Sequence, residues 1–357
     1  MVGFIARCDN TGLGLESADF VRHVRPEKTL VRVTRKRREF PERVAGCVTT
    51  TFFENVPTPA QADEFLEGLH TLFCIETPYE WGIFEKAKQL GIRTILRINY
   101  EYLPDPVPVA PDVMIAPVDW HQPDAAMVLP FPVDRDSIPF RRRERARTFV
   151  HIAGRQGAFG RNGTVELLKA IPRVTSDVRF VIYSQHPLRR IDDPRVHFFI
   201  RDFTDRAELY REGDVLVFPR RYGGQALSMN EALSAGMPVM MTDMRPQSSF
   251  LPAELLIKPA RIGKASFFDK RTVDMAFVEP ETIAEKIDEW ADADISVFSD
   301  HADRYAHSIS WTSLGPIYAE ILRTPGWRPA APSAPDDSES TGDAVRRGHV
   351  RGGAPPQ

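Results

Sequence analysis

Short apolar runs alternate along the chain with segments in which apolar residues recur at helical spacing. Continuous apolar runs are typical of strands buried on both faces, and their alternation with helices is typical of a parallel sheet covered by helices. Over residues 1–130 the predicted strands are VGFIAR, TLVRVTR, TLFCIE, IRTILRI, DVMIA and AMVLP. The pattern predicts an α/β domain in this part of the chain.

Helix-start signals support the same interpretation. In Thr58-Pro59-Ala60-Gln61 and Thr77-Pro78-Tyr79-Glu80, a threonine precedes a proline and is followed three positions later by Gln or Glu. This is the capping-box pattern with proline at the first helical position, so each predicts a helix start. Earlier, CDNTGLGLES indicates a glycine-rich loop and ADFVRHV a helix, which gives the chain a βαβ opening.

Residues 131–147, FPVDRDSIPFRRRERAR, interrupt the alternation with charges and prolines, which is typical of a linker. A second alternating series follows. Its predicted strands are TFVHIAG, VRFVIYS, VHFFI, VLVF and PVMM, and its predicted helices are GTVELLKAI, DRAELYREG and ETIAEKIDEWAD. Further helical patterns lie at 298–308 and 314–322, and residues 327–357 are rich in Pro, Ser, Gly and charge. We therefore expect a second open α/β unit and a disordered C-terminal tail.

Length and composition narrow the class of protein. A chain of 357 residues is too long for one ordinary core, so two domains with a cleft between them are expected. With 42% apolar and 27% charged residues the composition is that of a soluble globular protein, and no apolar run approaches the roughly 18 residues of a membrane span. The N-terminus lacks the features of a signal peptide, so we expect a cytoplasmic location.

Charge and cysteine content exclude two further classes. The net charge of −3 argues against a protein that coats nucleic acid. Cys8, Cys47 and Cys74 lie far apart in the sequence and match neither a disulfide framework nor a metal-ligand spacing. The histidines His121, His151, His186 and His197 are not paired at metal-binding spacing either, and we expect no metal and no cofactor.

Two basic, glycine-rich loops follow strands of the second series. Gly154 and Arg155 begin the first, which reaches Arg161, and Arg220 and Arg221 lie in the second. In open α/β sheets ligands bind beyond the carboxyl ends of the strands, where helix N-termini favour anions. Glycines allow close approach of the backbone, and arginine suits phosphate. Alternatively, each loop is a tight turn whose arginines are solvated. Such a purely structural role is less probable for both loops together than for either loop alone.

The segments around these loops resemble the donor domain of glycosyltransferases with two Rossmann-like domains, the GT-B fold. FVHIAGRQGAFGRNGTVELLKAI and GDVLVFPRRYGGQALSMNEALSAGMPVMMTD are most similar to the retaining family four, glycosyl transferases group 1, which carries a Glu-x7-Glu signature. The resemblance implies an acceptor domain at 1–130, a linker at 131–147 and a donor domain at 148–310. It also implies a helix at 311–326 that returns to the first domain, before the tail at 327–357.

The resemblance also implies residue roles. Arg155 and Arg161 would grip the diphosphate of the donor, and Glu231, the second signature glutamate, would hold the ribose hydroxyls. Backbone N–H groups of the loop before the next helix would approach the distal phosphate, and GLG would close on the donor from the other domain. The implied donor site comprises Gly12, Gly14, Arg155, Arg161, Arg201, Gly223, Gly224, Gln225, Ala226, Leu227 and Glu231.

The sequence departs from the family pattern at two positions. The first signature glutamate is replaced by Gly223, and the histidine usual after a central strand of the first domain falls on Asn99. A carboxylate could come from Glu101 or Glu76, which follow predicted strands, or less strongly from Asp9. The predicted catalytic set is Asn99, Glu101, Arg155 and Arg161.

Glu231 has a structural alternative, because Ser228-Met229-Asn230-Glu231 is also a capping-box pattern. The matching sequence around it favours the ribose role, and the two roles could coexist.

Three functions remain open. The first is transfer of a sugar from a nucleoside diphosphate sugar, with the leaving group stabilised by arginines and a helix N-terminus. The second is an NADP-dependent oxidoreductase, suggested by Gly12-x-Gly14 and the basic run at 35–38, although Ser17 replaces the third glycine. The third is a nucleotide-sugar-binding protein without catalysis.

The acceptor stays open between a DNA base, a protein, a glycan and a small molecule. Basic runs at 35–38, 141–147 and 189–190 could approach nucleic acid, although runs of this length are more often solvated.

Overall fold

The structure, a computed structural model, describes residues 1–34, 39–121, 123, 126–155, 160–266 and 271–329. Two parallel sheets form its framework. The first has the order β3-β2-β1-β4-β5-β6-β7 and the second β10-β9-β8-β11-β12-β13. The strands of the first sheet are β1 (Val2–Ala6), β2 (Lys28–Arg32), β3 (Val48–Phe52), β4 (Thr71–Ile75), β5 (Arg93–Arg97), β6 (Val113–Ala116) and β7 (Ala126–Val128). Those of the second are β8 (Thr148–Gly154), β9 (Arg179–Ser184), β10 (Val196–Ile200), β11 (Val215–Phe218), β12 (Val239–Thr242) and β13 (Leu256–Ile257).

The apolar runs in the sequence become the central strands of these sheets. Every residue of β1, β4, β5, β11 and β12 is buried. Strands covered on both faces need no polar side, which explains why the runs are continuous. The predicted fold class, two Rossmann-like α/β units, is confirmed.

Several strands were not predicted from the sequence. Strand β3, with the sequence VTTTF, lies at the edge of the first sheet and is only partly buried, so it has no continuous apolar run. Strand β13 has only two residues. An antiparallel hairpin of β14 (Arg261–Ser266) and β15 (Thr272–Phe277) also escaped prediction, because most of its side chains are exposed or half-buried.

Helices connect the strands. They are α1 (Gly12–Val24), α2 (Pro59–Leu66), α3 (Gly82–Gln89), α4 (Thr164–Ala170), α5 (Leu227–Ser234), α6 (Pro280–Trp290), α7 (Ser296–Ser308) and α8 (Trp311–Arg323). The capping box at Thr58 is confirmed, since its side chain and that of Gln61 bond reciprocally. The helix start at Thr77 is wrong, because α3 begins at Gly82. The hydroxyl of Tyr79 instead donates to the carbonyl of Ala6.

Two other local predictions are wrong. The GLG segment is not a loop, because α1 begins at Gly12 and Thr11 caps it. Gly14 lies in the first turn, where a Cβ atom would overlap the backbone of Asp9, so glycine is needed for close packing. DRAELYREG forms only a short 3-10 helix, Arg206–Leu209, in place of the predicted α-helix.

The last helix and the segment between the sheets pack against both units. In α8, Trp311 and Tyr318 lie in the core of the first sheet with Phe20. In the segment 131–147, Arg143 is buried and donates to the carbonyls of Gly213 and Tyr210. Most of the predicted tail, residues 330–357, lies outside the described residues. No helix in the described ranges has the length and apolarity needed to cross a membrane.

Candidate functional site

Two neighbouring cavities lie between the sheets. The larger has a volume of about 780 Å³ and the smaller about 260 Å³. Thr11, Gly12, Asn162, Leu227 and Ser228 line both, so the cavities meet at the start of α1 and the start of α5. Both helices follow the carboxyl ends of central strands, which is where ligands of open α/β sheets bind.

The start of α5 contributes backbone N–H groups to this junction. Gln225, Ala226 and Leu227 line the larger cavity, and no side chain caps the helix. Uncapped first-turn N–H groups and the helix dipole favour an anion at this point. The placement of the three residues fits the role that the family resemblance implied for their backbone.

Glu231 lies in the wall of the smaller cavity and is 3% exposed. One carboxylate oxygen accepts from Arg206 Nη1 at 2.7 Å and the other from the hydroxyl of Tyr210 at 2.7 Å. The capping-box alternative is wrong, because α5 begins at Leu227 and places Glu231 in the second turn.

Arg206 connects Glu231 to the N-terminal part of the chain. Its Nη2 donates to Asp19 Oδ1 at 2.7 Å, and its Nη1 to Asp19 Oδ2 at 3.0 Å. Burial opposes the charge, but Glu231 and Asp19 together raise the pKa of Arg206 above its ordinary value. The guanidinium therefore stays charged between two buried carboxylates. Sequence reasoning missed Arg206, because Asp19 is distant in the sequence and no spacing connects the two.

Arg155 and Arg161 lie on different cavities. Arg155 lines the smaller cavity and is 3.6 Å from Asp9 Oδ2. Arg161 lines the larger cavity and forms an ion pair with the buried Glu101. Burial lowers the pKa of Arg161, but Glu101 and then Tyr102 raise it above the ordinary value. Each of the two predicted diphosphate ligands is thus paired with an acid from residues 1–130.

Glu101 does not face the larger cavity as the sequence suggested. Its side chain is 2% exposed behind Arg161, and its Oε2 has no hydrogen-bond partner among the described residues. Glu76 and Asp9 do line the larger cavity. Glu76 also has a φ of 71° at the end of β4, a left-handed conformation that is rare outside glycine and clusters at functional sites.

Asn99 lies beside Glu76 in the larger cavity. Its Nδ2 donates to Glu76 Oε2 at 2.8 Å, and its Oδ1 accepts from Arg97 Nη1 at 3.2 Å. Arg97 in turn is paired with the carboxylate of Glu16 at 3.0 Å. The side chain of Asn99 is therefore fixed in orientation at the position where the family usually has histidine.

Gly223 stands at the position of the first signature glutamate and has a backbone conformation that favours glycine. Its φ is 104°, and a Cβ atom there would lie 2.7 Å from Arg220 Nη2 and 2.9 Å from Glu101 Oε1, with Arg161 Nη2 closer still. A side chain at this position would strain the backbone and require these charged side-chain ends to move. Gly223 and Gly224 are not among the residues lining the two cavities, and a Cβ atom at Gly224 would lie 3.7 Å from the ring of Trp120.

Arg220 and Arg221 point in different directions. Arg220 is 3% exposed and lines the larger cavity. Burial and then the charge of Arg161 lower the pKa of Arg220 to about 9. Arg221 is not a cavity residue. Its guanidinium stacks on Phe277 and lies 3.8 Å from Glu166.

Three further residues of the predicted donor site, Arg201, Gly12 and Gly14, differ in their position relative to the cavities. Arg201 lines the smaller cavity, donates to Glu208 at 2.7 Å and stacks on Phe203. Gly12 lines both cavities, whereas Gly14 lines neither. Asn10 and Gln185, which the sequence did not single out, also line the smaller cavity, where Gln185 Nε2 donates to the carbonyl of Asn10 at 2.7 Å.

His151 is buried beside the site but does not line it. Nδ1 donates to the carbonyl of Val217 at 2.8 Å, and Nε2 accepts from Thr164 Oγ1 at 2.8 Å. Burial lowers the pKa of His151 to about 4, so the ring is neutral. Within the described ranges no group of three His, Cys, Asp or Glu side chains is placed to hold a metal ion.

The basic runs proposed to approach nucleic acid differ in accessibility. Residues 35–38 lie outside the described residues. In the run 141–147, Arg142 is paired with Asp300 at 2.8 Å and Arg147 with Asp292 at 2.7 Å. Arg189 and Arg190 are exposed.

Comparison with known proteins finds a family match over part of the chain and a shared fold over most of it. Residues 148–262 match the family model of glycosyl transferases group 1. No curated protein matches the sequence. Solved structures with the GT-B fold do match. HepE of Anabaena, solved with UDP and glucose, has a TM-score of 0.64 at 11% identity, covering 90% of this chain and 99% of its own.

Two other solved structures have a similar fold. Sucrose-phosphate synthase of Thermosynechococcus elongatus has a TM-score of 0.60 at 13% identity, covering 90% of this chain and 98% of its own. A glycosyltransferase of Rickettsia africae has a TM-score of 0.57 at 12% identity, with coverage of 90% and 97%. The chain therefore has the GT-B fold of these solved structures, and its residues 148–262 match glycosyl transferases group 1.

Proposed function

We propose that the chain is a glycosyltransferase that transfers a sugar from a nucleoside diphosphate sugar to an acceptor in the larger cavity, because it has the GT-B fold and its residues 148–262 match glycosyl transferases group 1. The observation that carries the proposal is the junction of the two cavities at the uncapped start of α5, with Arg155 on one side and Arg161 on the other.

The nucleoside would occupy the smaller cavity, where the carboxylate of Glu231 can accept hydrogen bonds from ribose hydroxyls. The diphosphate would lie at the junction, close to the first-turn N–H groups of α5. HepE, a structural neighbour, was solved with UDP-glucose as well as with UDP, so we extend a UDP-sugar donor to this chain as part of the proposal.

The chemistry follows from this placement. The bond between the anomeric carbon and the phosphate oxygen breaks, its electron pair stays on the diphosphate, and a new bond forms to the acceptor. Preorganised N–H groups and arginines stabilise the charge that develops on the leaving group. The proton of the acceptor would pass to a carboxylate of the larger cavity, for which Asp9 and Glu76 are the candidates. No step in this scheme needs a metal ion.

Donor binding and turnover test the proposal separately. We expect calorimetry to detect binding of UDP or GDP, and Arg155→Ala and Arg161→Gln each to weaken it about tenfold or more, since each removes a charged hydrogen bond. Arg173→Ala, which removes an exposed arginine paired with Glu281, serves as the control.

Release of UDP from UDP-glucose, or GDP from GDP-mannose, should then rise when acceptor mixtures of DNA, protein or oligosaccharide are added. If the protein binds none of these nucleotides, the proposal is wrong. If it binds them but never releases diphosphate, the chain is a nucleotide-sugar-binding protein without catalysis.

A further inference from the structure

Arg220 is a buried cation without an acidic partner. Its guanidinium is 3% exposed and lines the larger cavity, and its Nε donates to the carbonyl of Tyr222 at 2.9 Å. Among the described residues no carboxylate lies within 4.0 Å of it. Burying an uncompensated charge is costly, so a site that keeps one is suited to an anionic ligand.

The two arginines proposed to hold the diphosphate already have carboxylate partners. Arg161 is paired with Glu101, and Arg155 lies 3.6 Å from Asp9. Of the arginines from residues 148–310 that line the larger cavity, Arg161 has a carboxylate partner, whereas Arg220 has none within 4.0 Å among the described residues. The positive charge of Arg220 is therefore available to a diphosphate leaving group without competition from a paired acid.

Gly223 makes this arrangement possible. Arg220 Nη2 lies 2.7 Å from the position that a Cβ atom of residue 223 would occupy. The guanidinium of Arg161 lies closer still, so the glutamate that the family signature places here would require both guanidinium groups to move and would add a negative charge beside them. Compared with the family signature, the site therefore lacks the negative charge of the glutamate and keeps the positive charge of the buried Arg220.

We propose that Arg220 is a third cation of the diphosphate site, beside the acid-paired Arg155 and Arg161, and that Gly223 leaves room for the guanidinium groups of Arg220 and Arg161. This rests on the proposed function. When the bond to the anomeric carbon breaks, the diphosphate gains a negative charge, and Arg220, which lines the larger cavity, stabilises that charge.

The test compares nucleotides that differ by one phosphate group. Calorimetry is carried out with UDP and UMP, or with GDP and GMP if guanine nucleotides bind better, on the wild type, Arg220→Met and the neighbouring control Arg221→Gln. For Arg220→Met we expect binding of the diphosphate to weaken at least about tenfold, with that of the monophosphate changing less than about twofold. Arg221→Gln should leave both unchanged.

Folding stability gives an independent readout. Because Arg220 is buried without an acid, replacing it with an apolar side chain of similar length should leave the thermal unfolding temperature of the free protein unchanged or higher. A purely structural arginine would instead lose stability on replacement. Arg220→Gln, which can still donate to the carbonyl of Tyr222, gives the same binding comparison if the methionine variant does not fold.

Each outcome decides the matter. A diphosphate-selective loss together with retained stability supports the proposal. Equal loss of both nucleotides, no loss of either, or a loss of stability with binding retained overturns it. If the wild type binds no nucleoside diphosphate, the proposed function itself has failed, which is a different result from selective failure at Arg220.

Discussion

The N-terminal half (residues 1–130) and the C-terminal half (residues 148–310) share one architecture but play opposite parts in three ion pairs that join them beside the cavities. The C-terminal half supplies arginines, among them Arg155, Arg161 and Arg206. The N-terminal half supplies the acids that meet them, which are Asp9, Glu101 and Asp19 respectively. Two sheets with the same connectivity have therefore been specialised by the side chains at their carboxyl ends.

This sorting of charges has a consequence for ligand binding. The arginines that would hold a diphosphate already have carboxylate partners across the interface, so a phosphate group would compete with these acids. The same pairs also hold the two halves together. Pairs that are buried should matter most for stability, and pairs that are exposed to solvent should matter mainly for affinity.

The largest expected effect is on the buried triad of Arg206, Asp19 and Glu231. Arg206→Ala leaves Asp19 and Glu231 buried without a cation, and we expect it to lower the free energy of unfolding by about 3–5 kcal/mol, measured by denaturant titration. Arg173→Ala, at an exposed pair in the C-terminal half, should produce no measurable change. Equal stability of the Arg206 and Arg173 variants would show that the triad does not join the halves.

The next largest effect is expected in the pH dependence of the free energy of unfolding, to which a buried histidine of the C-terminal half contributes. His151 lies in the C-terminal half, and its pKa is lowered to about 4 by burial, whereas an unfolded chain protonates it near 6.5. Its contribution to stability is complete above pH 6.5 and is lost as the pH falls from 6.5 to 4, a loss of about 3 kcal/mol.

The measurement is the free energy of unfolding at a series of pH values. His151→Gln should make the curve shallower between pH 6.5 and 4, while His186→Gln, a histidine whose side chain is not in the core, should leave its slope unchanged. A slope that does not depend on His151 would contradict the neutral buried ring.

A smaller effect is expected at the partly exposed pair. Asp9→Asn removes the acid opposite Arg155 and should tighten UDP or GDP binding by up to about fivefold, because the phosphate no longer competes with a carboxylate. Calorimetry measures this, with Asp193→Asn, at a pair distant from the cavities, as control. Weaker binding in the Asp9 variant would mean that this carboxylate assists the ligand.

The smallest effect is expected in the segment between the sheets. Arg142 is exposed and paired with Asp300, so Arg142→Ala should change neither the thermal unfolding temperature nor nucleotide affinity. A clear decrease in either would assign this segment a part in coupling the two halves.

The fold could be predicted from the sequence wherever burial decided local structure. Continuous apolar runs indicated the central strands, because a strand covered on both faces has no polar side. Prediction was wrong where tertiary contacts overrode a local signal. At Thr77 the following tyrosine bonds to the backbone of β1 in place of starting a helix. The threonine-rich edge strand β3 lacks the signal altogether.

The candidate site divides in the same way. The sequence alone determined that two basic, glycine-rich loops follow strands of the second sheet and that Gly223 stands where the family has glutamate, because motifs depend on residues that are close along the chain. Only the tertiary structure decided which acid meets which arginine, that Glu101 lies behind Arg161, and that Arg220 is left without a carboxylate. Those pairs join residues that are distant in sequence and belong to different sheets, and the charge that remains depends on the packing of both halves.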